Sequence, residues 1–207
     1  MQLQGETLDR RVARELDELE AFFMGTSKIH RAAQLLASRL DEAGIDYAIA
    51  GALALAVHGF RRATEDVDVL ITREGLARFK QEWLGHGYVE LRAGGKSVRD
   101  TVNDTKIDFL IVGDFPGDGK PKPVAFPDPR DAAMRGELFN VLALPRLVEL
   151  KLASAMTAPH RGHDFFDVVQ LVRRTGLAEG MADELDPYVR DKYREAWRLA
   201  QISDDEL

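Results

Sequence analysis

Residues 66–71, Asp66-Val67-Asp68-Val69-Leu70-Ile71, begin with acidic and apolar side chains in strict alternation. On a β-strand, side chains two positions apart share a face, so Asp66 and Asp68 should point the same way while the valines and Ile71 pack behind. Their Cα atoms would lie roughly 6.6 Å apart. Such carboxylates can hold divalent cations about 3.5–4 Å apart, which would also relieve their mutual repulsion. The alternative is an exposed acidic face on an edge strand, and the triplet alone favours that alternative.

A second predicted strand strengthens the interpretation of these acids as a cation site. Residues 106–112 place a lone acid, Asp108, inside an apolar run, where an unpaired carboxylate is costly. Either Asp108 pairs with Lys106 or an arginine, or it lies beside Asp68 on a neighbouring strand as the third oxygen ligand of a hard cation. An all-oxygen set suits Mg²⁺ or Mn²⁺.

The segment before Asp66 supplies candidates for phosphate binding. Residues 8–43 predict two helical stretches, the second ended by Gly44, and residues 47–50 predict a buried strand. Gly51 then opens a turn into a short helix at residues 52–58. This turn either presses against phosphates at the helix N-terminus or is an ordinary tight turn. His58 is interpreted as a packing or hydrogen-bonding residue.

The basic pair after this helix is open to two interpretations. Arg61 and Arg62 either clamp triphosphate oxygens or are solvated, and Thr64 would orient the loop before Asp66.

The rest of the chain predicts a mixed-sheet α/β (α+β) unit followed by a C-terminal helical bundle. A helix is expected at residues 74–84, strands at 88–91 and 98–102, and a proline- and glycine-rich loop or lid at 113–130. We place the core with its N-terminal helices at residues 1–143 and the helical region packed on it at 144–207. Gly94-Gly95-Lys96-Ser97 ends like a P-loop, but Glu90 stands where the first glycine is required, so that motif is rejected.

The C-terminal helices carry three charged candidates. Lys151 shares a helix face with Leu147 and Ala155, so it either snorkels to solvent or reaches phosphates or a nearby base. Asp164 and Asp167, three residues apart, either bind Arg161 and Lys151 structurally or complete the site.

Composition narrows the function classes. The net charge of −7 argues against a surface devoted to nucleic acid, and the absence of cysteine excludes disulfides and thiolate catalysis. No apolar run is long enough to cross a membrane, and the polar start MQLQGETLDRR lacks the apolar stretch of a signal peptide. We therefore expect a cytoplasmic protein that does not act at a membrane.

Several of these motifs together resemble the polymerase-β-like nucleotidyltransferases. The shared pattern is a Gly51-Ala52 turn, thirteen residues, Asp66-Val67-Asp68, and Asp108 on a later strand. GALALAVHGFRRATEDVDVLIT looks most like the AbiEii-type toxins and their uncharacterised relatives, which also carry a later lysine-bearing helix and an R-x-x-D-x-x-D helix. The corresponding positions here are Lys151, and Arg161, Asp164 and Asp167. Ala52 departs from the family's glycine or serine, so no hydroxyl can contact phosphate there.

The resemblance implies transfer of a nucleoside monophosphate from an NTP, ATP among them, to a hydroxyl of tRNA, a protein or a small molecule. Asp66 and Asp68 would hold two Mg²⁺ or Mn²⁺ ions, and Asp108 would bridge one ion and deprotonate or position the acceptor. Lys151 would assist at the phosphates. The nucleotide would be bound by the set Gly51, Ala52, Arg61, Arg62, Thr64, Arg161, Asp164 and Asp167.

Two rival functions remain open. The chain could be a toxin controlled by a cognate antitoxin, or a non-catalytic nucleotide- or partner-binding module, for which Ala52 is the main hint.

Overall fold

A computed structural model describes residues 16–17, 21 and 27–202 of the chain. The first predicted helical stretch, which begins at residue 8, lies mostly outside the described residues. The second is confirmed as α1, Lys28–Glu42. Its buried face consists of Ile29, Ala32, Ala33, Leu36, Ala37 and Leu40. Gly44, with φ +61°, follows the helix end as predicted.

The predicted alternation of strands and helices is confirmed through the middle of the chain. The elements after α1 are β1 (Tyr47–Ile49), α2 (Gly51–Val57), β2 (Asp66–Ile71), α3 (Arg73–Trp83), β3 (Tyr88–Glu90), β4 (Ser97–Asp100), β5 (Thr105–Ile111), α4 (Pro129–Ala132), β6 (Ala133–Arg135), β7 (Asn140–Leu142), α5 (Leu144–Thr157), α6 (Gly162–Thr175) and α7 (Arg190–Ala200).

All seven strands belong to one mixed sheet in the order β3-β4-β5-β2-β1-β7-β6. The neighbours β2/β5 and β1/β7 are parallel, and the other neighbouring pairs are antiparallel. The mixed sheet was predicted, but β6 and β7 were not. β6 has no β-branched or aromatic residue and β7 has one, whereas the equally short β1 and β3 have two each.

The two faces of the sheet carry separate cores. Tyr47, Ile49, Val67 and Val69 pack with α1 and α3 on one face. The opposite face carries Ala48, Leu70 and Leu142, which pack with α2 and with the C-terminal helices. Because Asp66 and Asp68 share a face with Leu70, the acidic end of β2 lies on the side of the sheet that the C-terminal helices cover.

The predicted C-terminal helical region is observed, with one difference. Pro145 lies in the first turn of α5 as expected. Asp186, however, does not cap α7, because its carboxylate accepts a hydrogen bond from Tyr188 N (2.8 Å) and the helix begins only at Arg190. Asp186 therefore caps the turn that precedes the helix.

The predicted loop after β5 is observed as a closed segment, residues 113–126. Gly113 N donates to Phe126 O (2.9 Å) and Phe126 N donates to Asp114 O (2.8 Å), which ties its two ends together. Inside it, Lys122 Nζ donates to Pro116 O and to Asp118 Oδ1, at 2.6 Å each. These bonds give the loop a defined shape beside the sheet.

No helix among residues 16–17, 21 and 27–202 has both the length and the apolar character needed to span a bilayer.

Candidate active site

The three predicted acids lie on one face of two neighbouring strands. β2 and β5 pair in parallel with Asp66 opposite Lys106 and Asp68 opposite Asp108. Residues opposite one another in a ladder point to the same face of the sheet. The expected position of Asp108 beside Asp68 is therefore observed, and Lys106 joins the acids on that face.

Two of the three carboxylates are held by neighbouring side chains. Thr64 Oγ1 donates to Asp66 Oδ1 at 2.9 Å. Asp108 is held at both oxygens: Ser97 Oγ donates to Oδ1 and Lys106 Nζ to Oδ2, each at 2.5 Å. The pairing of Asp108 with Lys106, one of the two alternatives from the sequence, is thus present together with its position beside Asp68.

Asp68 differs from its neighbours, because no side chain in the described part of the protein donates a hydrogen bond to its carboxylate. Burial raises the pKa of Asp68, and the charges of Asp66 and Asp108 raise it further, to about 6. Lys151 and Arg161 act in the opposite direction but do not compensate. The charged form of Asp68 is therefore disfavoured, chiefly because burial removes the carboxylate from water.

The first residue of α2 fits closely against Asp68. Gly51 has φ +59°, a left-handed conformation that side chains rarely adopt. A Cβ at this position would lie 2.0 Å from Asp68 Oδ2. The glycine of the motif is therefore required by its neighbour as well as by its backbone. Ala52, the departure from the family pattern, is buried within α2.

A cavity of about 430 Å³ opens beside Asp68, between the sheet, the 113–126 loop and the C-terminal helices. Its apolar wall includes Leu110, Phe115, Phe126, Leu147 and Leu150. Its polar lining includes Asp68, Lys96, Asp114, Lys151, Ser154, Arg161 and Asp164. The cavity thus joins an apolar wall to a charged end, as small-molecule sites commonly do.

Lys151 is bound by two buried carboxylates. Its Nζ lies 2.9 Å from Asp164 Oδ1 and 2.7 Å from Asp167 Oδ2. Ser154 Oγ donates to the second oxygen of Asp164 at 2.7 Å. Burial disfavours the charge of Asp164, but Lys151, followed by the hydrogen bond from Ser154, holds its pKa below the usual value. Of the partners considered for Lys151, the carboxylate pair is the one present in the structure.

The three predicted arginines occupy different positions relative to the cavity. Arg62 forms a two-pronged ion pair with Asp167, with Nε–Oδ1 at 2.7 Å and Nη2–Oδ2 at 3.0 Å. Arg161 lines the cavity, is half exposed, and approaches Asp164 to 4.0 Å. Arg61 is exposed and does not line the cavity.

His58 has the hydrogen-bonding role expected from the sequence. Its Nε2 lies 2.8 Å from Leu142 O and joins the end of α2 to β7.

Sequence reasoning missed Ser97 and Lys96 as members of the site. Both belong to the segment rejected as a P-loop, and the β4–β5 pairing brings Ser97 opposite Asp108. Lys96 lines the cavity and forms an ion pair with Asp114. The register between two short antiparallel strands brings Ser97 to the site, and no local sequence pattern indicates that register. For Lys106 the signal was present, since it lies two residues before Asp108 on the same strand.

The three carboxylates have the oxygen donors of a divalent-cation site, but they are not arranged around a common point. Among residues 16–17, 21 and 27–202, no group of three or more Asp, Glu, His or Cys side chains is arranged to hold a metal ion. The all-oxygen donors nevertheless suit a hard cation, and Asp66 and Asp108 lie close enough to Asp68 for their charges to raise its pKa after the larger effect of burial. The set therefore fits Mg²⁺ or Mn²⁺ chemically.

No protein-family model and no curated protein matches this chain. Among solved structures, it is similar to the solution structure of the antibiotic-resistance factor ANT(2'')-Ia. The TM-score is 0.40 and the sequence identity 16%, over 84% of this chain and 82% of that chain. A likeness at this level does not assign a function to the chain.

Proposed function

We propose that this protein transfers a nucleoside monophosphate from an NTP to an acceptor hydroxyl and releases pyrophosphate. The observation that carries the proposal is the register of Asp68 with Asp108 on neighbouring parallel strands, together with Asp68 in the wall of the cavity. Carboxylates on adjacent strands are close enough to act on one reacting group, and the cavity is large enough to hold part of a nucleotide.

Asp66 and Asp68 would hold a divalent cation, which would supply positive charge to the phosphate oxygens as the bond to the leaving group breaks. The acceptor oxygen attacks the α-phosphorus, and the bond between the α-phosphorus and the bridging oxygen breaks. Pyrophosphate leaves with that electron pair. Asp108 would position the acceptor hydroxyl and accept its proton, with Ser97 fixing the orientation of the carboxylate.

The basic residues at the charged end would hold the triphosphate. Arg161 and Lys96 line the cavity with exposed side chains, so they are available to phosphate oxygens. Gly51 also lines the cavity and would lie against the nucleotide, whereas Ala52 and Arg61 do not line it. Lys151 and Arg62 would act indirectly, by holding Asp164 and Asp167 in place beside the cavity.

One observation favours a non-catalytic nucleotide-binding module instead. Lys106 already neutralises Asp108, so the third acid has a partner without a cation. Such a module would bind NTP without consuming it. The AbiEii-type toxin role, the cognate antitoxin, the preference for ATP and the identity of the acceptor stay predictions from the resemblance.

The test is a transfer screen with NTPs labelled at the α-phosphate. Purified protein is incubated with Mg²⁺ or Mn²⁺ and with total RNA, total protein or small metabolites, and each fraction is examined for label. We expect label in one fraction with the wild type and none with Asp68→Asn. Nucleotide binding without label in any fraction would favour the binding module and contradict the proposed transfer.

A further inference from the structure

Lys106 occupies an unusual position for a lysine, within a group of acids proposed to bind a cation. Its Nζ lies 2.5 Å from Asp108 Oδ2 and 3.8 Å from Asp66 Oδ2. It therefore bridges β5 and β2 at the level of the acids. The ammonium therefore places a positive charge within the group of acids.

The ammonium uses contacts that a metal ion would need. Asp108 has one oxygen bound by Lys106 and the other by Ser97, so its charge is already paired and each oxygen has one fewer lone pair to offer a cation. Asp68 accepts no hydrogen bond from a side chain in the described residues, and Asp66 keeps Lys106 at 3.8 Å without a hydrogen bond. The acids thus divide into one neutralised carboxylate and a pair that retains its charge.

Charge balance decides how many divalent cations such a group tolerates. Asp66, Asp68 and Asp108 bring three negative charges, and Lys106 brings one positive charge. A single divalent cation completes neutrality. A second would leave excess positive charge beside an ammonium group, which like-charge repulsion disfavours.

We propose that the Lys106 ammonium takes the place of one of the two cations that three carboxylates would otherwise hold, so that the protein alone binds a single divalent cation, at Asp66 and Asp68. This inference rests on the proposed function, because it presupposes that the acids are a cation site. Lys106 is then a positioning residue: it fixes Asp108 in the presence of only one metal ion.

The test is the stoichiometry of Mn²⁺ binding, measured from the electron paramagnetic resonance signal of free Mn²⁺ without nucleotide. The variant is Lys106→Met, which keeps most of the stem and removes the charge. The matched control is Lys120→Met, an exposed lysine of the 113–126 loop that changes the net charge equally. Lys106→Gln serves as a second variant, and circular dichroism verifies that each protein is folded.

We expect one Mn²⁺ per chain in the wild type and in Lys120→Met, and two in Lys106→Met and Lys106→Gln. Asp68→Asn should abolish the binding, which separates this site from adventitious Mn²⁺ on the acidic surface. Two ions in the wild type, or one ion in both Lys106 variants, would overturn the inference and leave the proposed function intact. Absence of Asp68-dependent binding in every protein would overturn both.

Discussion

Gly51 and Asp68 fit against each other so closely that a single methyl group on the glycine would come within 2.0 Å of Asp68 Oδ2. The contact joins the start of α2 to the second acid of β2. It fixes the position of that carboxylate relative to the wall of the cavity, since both residues line it.

Replacing Gly51 should therefore lower the free energy of unfolding by more than the left-handed backbone conformation alone explains. Gly44 is the matched control, because it has almost the same φ (+61° against +59°) but no atom within 4 Å of a built Cβ. We expect Gly44→Ala to lower the free energy of unfolding by about 1–2 kcal/mol, the usual cost of a left-handed alanine. Gly51→Ala should lose about 3 kcal/mol, since the steric clash adds to this. Urea denaturation measures both, and equal losses would show that the contact with Asp68 is not tight.

Without metal, the protein should be more stable when the charge of Asp68 is removed, because folding raises the pKa of this carboxyl. Because its pKa rises from 3.8 to about 6 on folding, the contribution of Asp68 to stability is present at low pH and is lost as the pH rises through 6. With chelator present, Asp68→Asn should be more stable than the wild type by about 2 kcal/mol at pH 7.5. The difference should shrink as the pH falls from 6 towards 4. A variant less stable than the wild type at pH 7.5 would contradict this electrostatic account.

A divalent cation should reduce that difference in stability. In Mg²⁺ or Mn²⁺, the melting temperature of the wild type should rise, because the ion binds the folded state, with about 1.4 kcal/mol of stabilisation at ten times the Kd. Asp68→Asn should show no such rise. Differential scanning fluorimetry with and without metal measures it, with Ser38→Ala, an exposed change on α1, as control. If the melting temperature of the wild type does not rise with metal, with or without nucleotide, the proposed cation site is wrong.

Lys151 should be needed for folding stability as well as for the shape of the site. Lys151→Met leaves Asp164 and Asp167 buried with fewer partners, so we expect a loss of about 3 kcal/mol. Adding Asp164→Asn to this variant should recover part of the loss, because the remaining negative charge is smaller. Chemical denaturation of the single and double variants measures the coupling. A melting temperature unchanged by Lys151→Met would mean that the ion pairs do not form in solution.

The sequence predicted the central strands well because each combines an apolar run with charges at fixed spacing. Period two alone places Asp66 and Asp68 on one face of β2, and the register between β2 and β5 adds Asp108 to that face. The edge strand β6 and its neighbour β7 escaped prediction because they have few of the β-branched and aromatic residues that mark the equally short β1 and β3. Ser97 was not predicted because its place opposite Asp108 depends on the register between β4 and β5. The partner of Lys151, phosphate or the carboxylates of Asp164 and Asp167, depends on how the C-terminal helices pack.

The central claim is best tested by comparing label at the α- and γ-phosphates, using the acceptor found in the transfer screen. Nucleotidyl transfer predicts that α-label enters the acceptor, that γ-label leaves as pyrophosphate, and that Asp66→Asn, Asp68→Asn and Asp108→Asn each abolish both. Lys120→Met should behave like the wild type. γ-label in the acceptor, or α-label transferred undiminished by Asp68→Asn, would contradict the account.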